Sequence, residues 1–477
     1  MLPGWTKKQL RLCSKQLKWE IDHLVGLQIR VCIDDDFESD CKNLDWIKHF
    51  HIKELTIRHR NFNIRLPLPW ISFLTKGGFN NLNRLSFSRL NFQAEEDLAT
   101  TLTALSTLRS LRELNLSLVF EVEASYSEDL STSSISKTAE NFCNFPNLTT
   151  LNLDCYVLST GRFENGITKL NTFQQMYCPQ LKFLSVKLRR RHDKLLTRLV
   201  WYLELVEKFS NSLQYLGIDF FSSMRMYRDW EASRLKAEEK ALELGSQLKN
   251  LKEVHIVFND EEEDSVWTNF FYSIRTSLEK LKLDFRNGIM WMLCRQSALL
   301  KKNFFPNLRS LTVDWEDFNL HNMVKITQIS DRLEILALSS NYFSDHKVIN
   351  LKQIPLSLKK LVLSKSLVSM RDGAFLKKCI SVRESLIVEH DQLISIRMAD
   401  YLGDFLFKPN FIWKGIGWRN QEELTAASAL CEKLGIPVEK LYKSEGFIND
   451  DYYLFYNDDS EDYDGYDDLD ELYPFYY

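Results

Sequence analysis

The stretch from residue 148 to residue 153 reads LTTLNL, and the stretch from residue 181 to residue 186 reads LKFLSV. Both follow the pattern L-x-x-L-x-L, in which Ile, Val or Phe replaces Leu in some copies. The pattern occurs eleven times, 25 to 38 residues apart, with first positions at Ile52, Leu82, Leu111, Leu148, Leu181, Leu213, Leu251, Leu278, Leu308, Leu333 and Leu358. Because self-similarity at such a period is typical of repeat proteins, the chain is predicted to be built mainly from stacked copies of one structural unit.

The spacing inside each copy predicts a short β-strand. Its second and third apolar positions are two residues apart, as residues on one face of a strand are. The stretches between copies show helical spacing instead, for example at Leu195, Leu199 and Leu203. One strand and one helix cannot bury their apolar faces alone, so neighbouring copies stack, with parallel strands along one side and helices along the other. The sequence therefore predicts an α/β solenoid over residues 51–390.

These copies resemble leucine-rich repeats. Their spacing exceeds the roughly 20–29 residues of regular members, and the asparagine that usually follows the strand in this family is mostly missing here. Both departures indicate an irregular leucine-rich-repeat solenoid. The resemblance implies that the strands line the concave face. Because solenoids present extended surfaces and no catalytic constellation is visible in the sequence, we expect non-enzymatic protein recognition through this face.

Alternation along the strands predicts which side chains point away from the leucine face. The first row, directly before the second apolar position, is Glu54, Arg84, Glu113, Thr150, Phe183, Tyr215, Glu253, Lys280, Ser310, Ile335 and Lys360. The second row, between the second and third apolar positions, is Thr56, Ser86, Asn115, Asn152, Ser185, Gly217, His255, Lys282, Thr312, Ala337 and Val362. The third row, directly after the third apolar position, is Arg58, Ser88, Ser117, Asp154, Lys187, Asp219, Val257, Asp284, Asp314, Ser339 and Ser364.

A partner-binding site is predicted in the middle of these rows, because exposed aromatic residues beside charges are typical of binding hot spots. Its candidate residues are Phe183, Tyr215, Glu253, His255, Lys280, Lys282 and Asp284. Ordinary cross-strand packing on a sheet face is the alternative interpretation. A basic rim beside the site, made of Lys187, Arg189, Arg190 and Arg191, is either a solvated edge or a contact for an acidic partner.

Composition argues against several classes of partner. The chain has 61 Lys and Arg against 65 Asp and Glu, so no overall basic field attracts nucleic acid or an anionic membrane. No apolar run approaches the length of a membrane span. The nine cysteines are scattered and never spaced as C-x-x-C, which indicates reduced thiols and an intracellular location, cytoplasmic or nuclear.

Sequence motifs give no support for catalysis, and neither an enzyme activity nor a cofactor is expected. Phosphate-binding loops, zinc-protease helices and nucleophile elbows are absent from the sequence. The histidines His49, His51 and His59 are interpreted as solvated or packed side chains, because no cysteine or carboxylate lies at a standard ligand interval. Carboxylates that precede an aromatic residue, such as Asp284 before Phe285, are interpreted as turn caps, with the ring in the core.

The N-terminal residues 1–50 are predicted to form a cap for the solenoid. Leu10, Leu17 and Leu24 have helical spacing, and a strand-like stretch follows from Leu27 to Cys32. This segment resembles the last helix of an F-box and its junction with the repeats in fungal F-box proteins. The resemblance implies a substrate receptor that brings a bound protein to the adaptor and cullin subunits of a ubiquitin ligase. The alternative is a repeat scaffold or regulator with no link to a ligase.

The C-terminal part divides into a cap, residues 391–444, and an acidic tail, residues 445–477. The cap contains a predicted helix that begins near Asn420 and ends before Gly435. The tail holds 12 acidic residues, eight tyrosines and no Lys or Arg, which favours disorder. It either keeps the protein soluble or docks on a basic surface. Residues 121–137, rich in serine and acids, are predicted to be a mobile surface loop.

Overall fold

The computed structural model describes residues 27–33, 52–59, 74, 79, 81–92, 95–122, 143–159, 171–190, 195–222, 230–258, 264–285, 302–317, 328–342, 355–364 and 370–443. The chain divides into two compact units, Met1–Lys359 and Lys360–Tyr477. The predicted N-terminal helix, His49, His51, most of the predicted loop at residues 121–137 and the acidic tail lie outside the described residues. The predicted boundaries at residues 50, 390 and 444 stay predictions.

The first unit contains one large parallel sheet. Its described strands and those of a small second sheet are β1 (Leu27–Ile33), β2 (Ile52–His59), β3 (Arg84–Phe92), β4 (Glu113–Val122), β5 (Cys143–Asn144), β6 (Thr150–Ser159), β7 (Met176–Tyr177), β8 (Phe183–Arg190), β9 (Tyr215–Ser222), β10 (Glu253–Phe258), β11 (Lys280–Phe285), β12 (Ser310–Asp317) and β13 (Ile335–Tyr342). β5 pairs only with β7, and all the others follow one another across the large sheet in chain order. Every pairing in this unit is parallel. Sequential parallel strands require a crossover after each strand, so the predicted α/β solenoid is confirmed.

The repeated apolar positions form the core of this unit. Leu148, Leu151 and Leu153 are each at most 1% exposed, and the equivalent residues of the other copies are buried as well. Burial of one such leucine contributes about 1.5–3 kcal/mol relative to an exposed position. Because each copy repeats the same three positions, the buried face continues from one strand to the next.

Helices lie between several of the strands and bury apolar side chains. The helices described in the first unit are α1 (Glu95–Leu105), α2 (Leu195–Lys208), α3 (Trp230–Gln247) and α4 (Asp264–Ile274). α2 packs against α3, and α3 packs against α4, with Tyr202 and Trp267 fully buried. The last contact is close, since a Cβ atom added to Gly245 would lie 1.8 Å from the Cβ of Ser273. Glycine is therefore required at position 245.

Asparagine side chains tie successive repeats together at a point that the sequence interpretation did not foresee. Asn147, Asn250 and Asn307 each directly precede the first leucine of a copy. Their Nδ2 atoms donate to backbone carbonyl oxygens of the preceding copy at 2.8, 2.7 and 2.7 Å. These amides satisfy turn carbonyls that would otherwise need water. The asparagine missing after the strands is thus replaced, in several copies, by one before them.

The second unit repeats the alternation of strand and helix. Its described elements are β14 (Lys360–Ser364), α5 (Met370–Val382), β15 (Ile387–Ile394), α6 (Ile396–Leu402), β16 (Phe411–Trp418), α7 (Gln421–Leu434) and β17 (Leu441–Lys443), and its strands pair in parallel in chain order. The predicted helix before Gly435 is α7. Its first turn is capped by Asn420, whose side chain accepts from the Glu423 N–H, and Gly435 ends it with φ of 70°.

Candidate protein-binding surface

The first row of side chains lies in register on the solvent side of the large sheet. In the first unit its members face one another from strand to strand in the order Glu54, Arg84, Glu113, Thr150, Phe183, Tyr215, Glu253, Lys280, Ser310 and Ile335. The two faces of the sheet differ strongly in solvent exposure, since Phe183 is 42% exposed and the adjacent Leu184 is fully buried. The leucine face is therefore core, and the rows form a surface that a partner can reach.

The part of this surface on β2, β3, β4 and β6, called here the polar half, is held by contacts among its own side chains. The Arg84 guanidinium lies 2.6 Å from the Glu113 carboxylate and 3.7 Å from that of Glu54. Asn115 donates to Ser86 Oγ at 2.9 Å and to Glu113 Oε1 at 3.0 Å. Asn152 in turn donates to Asn115 Oδ1. These charged and amide side chains therefore already have partners within the protein.

The part on β8, β9, β10 and β11, called here the aromatic half, is built differently. The rings of Phe183 and Tyr215 lie on adjacent strands with centroids 5.8 Å apart and planes tilted by 33°. A Cβ atom added to Gly217 would lie 3.1 Å from the Tyr215 hydroxyl and 2.9 Å from Ser185 Oγ. The phenol of Tyr215 therefore lies along the sheet over Gly217, and the two rings form a low apolar platform.

Burial changes the chemistry of Tyr215. Loss of water around the phenol raises the pKa of Tyr215, and the negative charge of Glu253 on the next strand adds to this effect. The phenol is therefore neutral at physiological pH and can donate a hydrogen bond to a partner.

The charged candidate residues surround this platform. Glu253 and Lys280 form an ion pair at 3.2 Å, and Lys282 is exposed between the half-buried His255 and Thr312. Asp284 is half-buried on the third row. The structure thus brings all seven predicted partner-binding residues onto neighbouring strands of one face. Their role in binding stays a prediction.

The predicted basic rim is only partly described. Lys187 is exposed in β8, next to Asp219 of β9, whose side chain is 4% exposed. Arg189 and Arg190 belong to the end of β8, and Arg191 lies outside the described residues. The role of this rim also stays a prediction.

A further row was missed by the sequence interpretation. The residue directly after the first apolar position of each copy, called here the leading row, is Lys53, Asn83, Arg112, Thr149, Lys182, Gln214, Lys252, Glu279, Arg309, Glu334 and Lys359. The backbone N–H of each member donates to the carbonyl oxygen of the member before it, at 2.8–2.9 Å. The signal was present in the sequence, because a cation occupies every second copy at this position.

Comparison with known proteins assigns no family to the chain. No family model matches the sequence, and no curated protein matches it. Among solved structures, the chain is similar to one described as "Crystal structure of TLR13-ssRNA13 complex", with 15% sequence identity and a TM-score of 0.29. The match covers 82% of this chain and 51% of that one, so the chain spans about half the length of the structure it matches. The repeat architecture of this chain therefore rests on its own topology.

The described residues hold no arrangement typical of a metal site or a reactive thiol. Their His, Cys, Asp and Glu side chains form no group of three or more that would hold a metal ion. Cys143, Cys155, Cys178, Cys379 and Cys431 are buried and free of disulfides. Burial raises the pKa of the Cys178 thiol to about 12, so this thiol is not a nucleophile at neutral pH. Among the described helices, none combines the length and apolar character that a membrane crossing requires.

Proposed function

We propose that the protein is a non-enzymatic recognition module that binds a protein partner through the exposed face of its large parallel sheet. The observation that carries this proposal is the ring pair Phe183 and Tyr215 on adjacent strands, of which Phe183 is 42% exposed and Tyr215 is half-buried. Aromatic side chains supply large contact areas with little loss of conformational entropy and dominate many interfaces. A sheet whose other face is fully packed holds them rigidly in place.

The contrast with the polar half supports the binding interpretation over simple cross-strand packing. Packing alone would cover the ring of Phe183, yet 42% of this residue is exposed. A partner that covers both rings would gain about 25 cal/mol for each Å² of apolar surface removed from water.

The proposal is tested by quantitative affinity purification of the full-length protein from its native cells. The double variant Phe183→Ala, Tyr215→Ala removes the platform but no core side chain. We expect the specific partners of the wild-type protein to fall by at least about tenfold, because hot-spot truncations weaken binding by 2 kcal/mol or more. Circular dichroism would check that the variant folds.

A matched control lies on the helical side. Leu235 and Leu242 in α3 are exposed by 54% and 52%, so Leu235→Ala, Leu242→Ala also removes two exposed apolar side chains. This control is expected to keep the partners. Equal partner recovery from the wild type and the platform variant, or loss only in the helix variant, would contradict a binding role for the sheet face.

A second proposal is that the module serves as a substrate receptor of a ubiquitin ligase. It is supported by the F-box-like sequence of residues 10–25 and by β1, which pairs with β2 residue by residue from Gln28 onward and so joins this segment to the repeats. Deletion of residues 1–26 leaves β1 in place. Recovery of adaptor and cullin subunits only with the intact chain would support the receptor, whereas their absence from both forms would favour a scaffold.

An intracellular location forms part of the proposal. It is supported by the five buried cysteines that remain thiols, as expected in a reducing compartment. Fluorescence microscopy of the full chain, tagged at either end, would test this location and distinguish the cytoplasm from the nucleus.

A further inference from the structure

The leading row carries a regular pattern of charge. Its cations occur in every second copy, at Lys53, Arg112, Lys182, Lys252, Arg309 and Lys359. Because each member is hydrogen-bonded to the next through the backbone, the row continues without a break along the edge where the strands begin. Neighbouring strands are about 4.8 Å apart, so alternate members are about 9–10 Å apart.

The two ends of this row differ in how their charges are balanced. At one end the cations alternate with glutamates: Lys252 lies 3.1 Å from Glu279, and Glu334 lies 2.9 Å from Lys359 and 3.9 Å from Arg309. The members between the cations at the other end are the neutral Asn83, Thr149 and Gln214. This neutral-spaced end, Lys53 to Gln214, is called here the open half of the leading row.

The cations of the open half have no described carboxylate within ion-pair distance. The nearest candidates in the first row, Glu54 and Glu113, are both engaged by Arg84. Arg112 and Lys182 are exposed. The open half therefore presents positive charge to solvent, whereas every cation in the rest of the row lies within 4 Å of a glutamate.

We propose that the open half of the leading row, together with Phe183 and Tyr215, binds an extended acidic peptide of a partner protein. This inference rests on the proposed function and specifies the chemistry of the partner. Lys182 directly precedes Phe183, and Gln214 directly precedes Tyr215. A peptide along this edge can place carboxylates on Arg112 and Lys182 and an apolar side chain on the platform.

The spacing fits an extended peptide. In a polyproline II conformation every third residue lies on the same side, about 9.3 Å along the chain. This distance matches the separation of alternate leading-row members. The amide groups of Asn83 and Gln214 lie between the cations and can bond the peptide backbone. The Thr149 hydroxyl donates to the Arg112 carbonyl oxygen at 3.1 Å and can accept a hydrogen bond from the peptide.

The same face argues against nucleic acid as the partner. The third row, at the opposite edge of the sheet, has four carboxylates, Asp154, Asp219, Asp284 and Asp314, against the two cations Arg58 and Lys187. It therefore adds no net positive charge for a phosphate backbone. Three cations also release few counterions, which gives weak affinity for a phosphate backbone.

Fluorescence anisotropy with the full-length protein tests the inference. The probe is a labelled 15-residue peptide of Ser and Pro with Glu at every third position and one central Tyr, and its control has Gln in place of every Glu. We expect the Glu peptide to bind and to lose at least about tenfold in affinity to the variant Arg112→Gln, Lys182→Gln. The matched variant Arg309→Gln, Lys359→Gln removes the same number of charges, from two cations that both lie beside Glu334, and should change the affinity by less than about twofold.

Several outcomes would overturn the inference. These are absence of binding, equal binding of the Gln peptide, equal losses in the two double variants, or tighter binding of a 15-nucleotide thymidine oligomer than of the Glu peptide. In each case, affinity purification with the variant Phe183→Ala, Tyr215→Ala still tests the proposed function separately. If that variant keeps all its partners, the proposed function fails whatever the peptide does.

Discussion

The polar half and the aromatic half of the sheet face share one backbone register and have opposite surface chemistry. In the polar half, Arg84 and Asn115 satisfy the groups around them across three strands. In the aromatic half, Phe183 and Tyr215 contact each other and leave apolar area exposed. The same repeat thus supports two uses of its outward positions. One connects strands within the protein, and the other presents a surface to a partner.

Desolvation explains why the two halves are not interchangeable. A partner that covered the polar half would remove water from groups that already bond each other, and would gain few new bonds. Covering the aromatic half removes apolar surface from water, which is favourable. We therefore expect substitutions in the polar half to change stability and those in the aromatic half to change binding.

The largest expected effect comes from substitutions that make the aromatic half resemble the polar half. Phe183→Thr, Tyr215→Thr copies Thr150, the adjacent first-row residue. We expect the affinity for a purified partner to fall by about 30-fold, which corresponds to about 2 kcal/mol. Isothermal titration calorimetry measures this change. Threonine is a good strand residue, so the urea midpoint should stay close to that of the wild type.

The reciprocal variant checks the direction of this argument. Thr150→Phe extends the platform by one strand and leaves the Asn115 and Asn152 contacts in place. It should keep or raise the affinity for the same partner. A loss equal to that of the double threonine variant would show that shape, and not apolar area, decides binding.

Much of the fold follows from the sequence because each repeat has buried apolar residues at the same spacing. Leu151 and Leu153 are spaced as one strand face requires, and the structure buries both. The same alternation placed Phe183 and Tyr215 on the opposite, exposed face. Long-range register needed no separate information, since each copy pairs with the next.

Contacts that depend on side-chain reach could not be predicted in this way. The bond from Asn147 to the Arg109 carbonyl spans 38 residues, and the bridge of Glu54 and Glu113 through Arg84 depends on rotamers. The leading row was missed for another reason. Lys182 follows a buried leucine at the start of a strand, where alternation does not yet define which way a side chain points.

The next largest effect is expected within the polar half. Asn115→Ala removes the bonds to Ser86, Glu113 and Asn152 together. We expect the free energy of unfolding in urea to fall by about 1–3 kcal/mol, because the remaining half-buried groups lose their partner. Affinity for the partner should change by less than about twofold.

Thr312 provides the control for this prediction. It lies on the same second row as Asn115 and is also half-buried, but it stands on β12, outside the polar half. Thr312→Ala should change stability by less than about 0.5 kcal/mol. Equal losses in the two variants would mean that the Asn115 network adds nothing specific to this half.

A smaller effect is expected at Gly217, where the Tyr215 phenol lies close to the backbone. Gly217→Ala places a methyl group 2.9 Å from Ser185 Oγ and 3.1 Å from the Tyr215 hydroxyl. Both atoms end side chains that can move, and Ser185 Cβ, 3.2 Å away, needs to shift by only a few tenths of an ångström, so the fold tolerates the change while the phenol tilts away from the sheet. We expect partner affinity to fall by about two- to fivefold, or at most about 1 kcal/mol. Adding Ser185→Ala should restore part of the loss, and an unchanged affinity in both variants would show that the partner does not contact Tyr215.

The smallest effect is expected from substitution of Arg84. This residue belongs to the polar half and lies beside the open half of the leading row. Arg84→Gln removes an ion pair whose arginine is 47% exposed, so stability should change by less than about 1 kcal/mol. The change also releases Glu54 and Glu113, which lie beside the open half of the leading row and would oppose the charge of Lys53 and Arg112. Affinity for the acidic peptide should therefore fall by about twofold at low salt and by less at high salt, where charges are screened. Lys240→Gln, which breaks the ion pair with Glu207 on the helical side, is the control. If the control lowers the affinity for the peptide as much as Arg84→Gln does, then net charge decides binding, and the arrangement of charges around Arg84 does not.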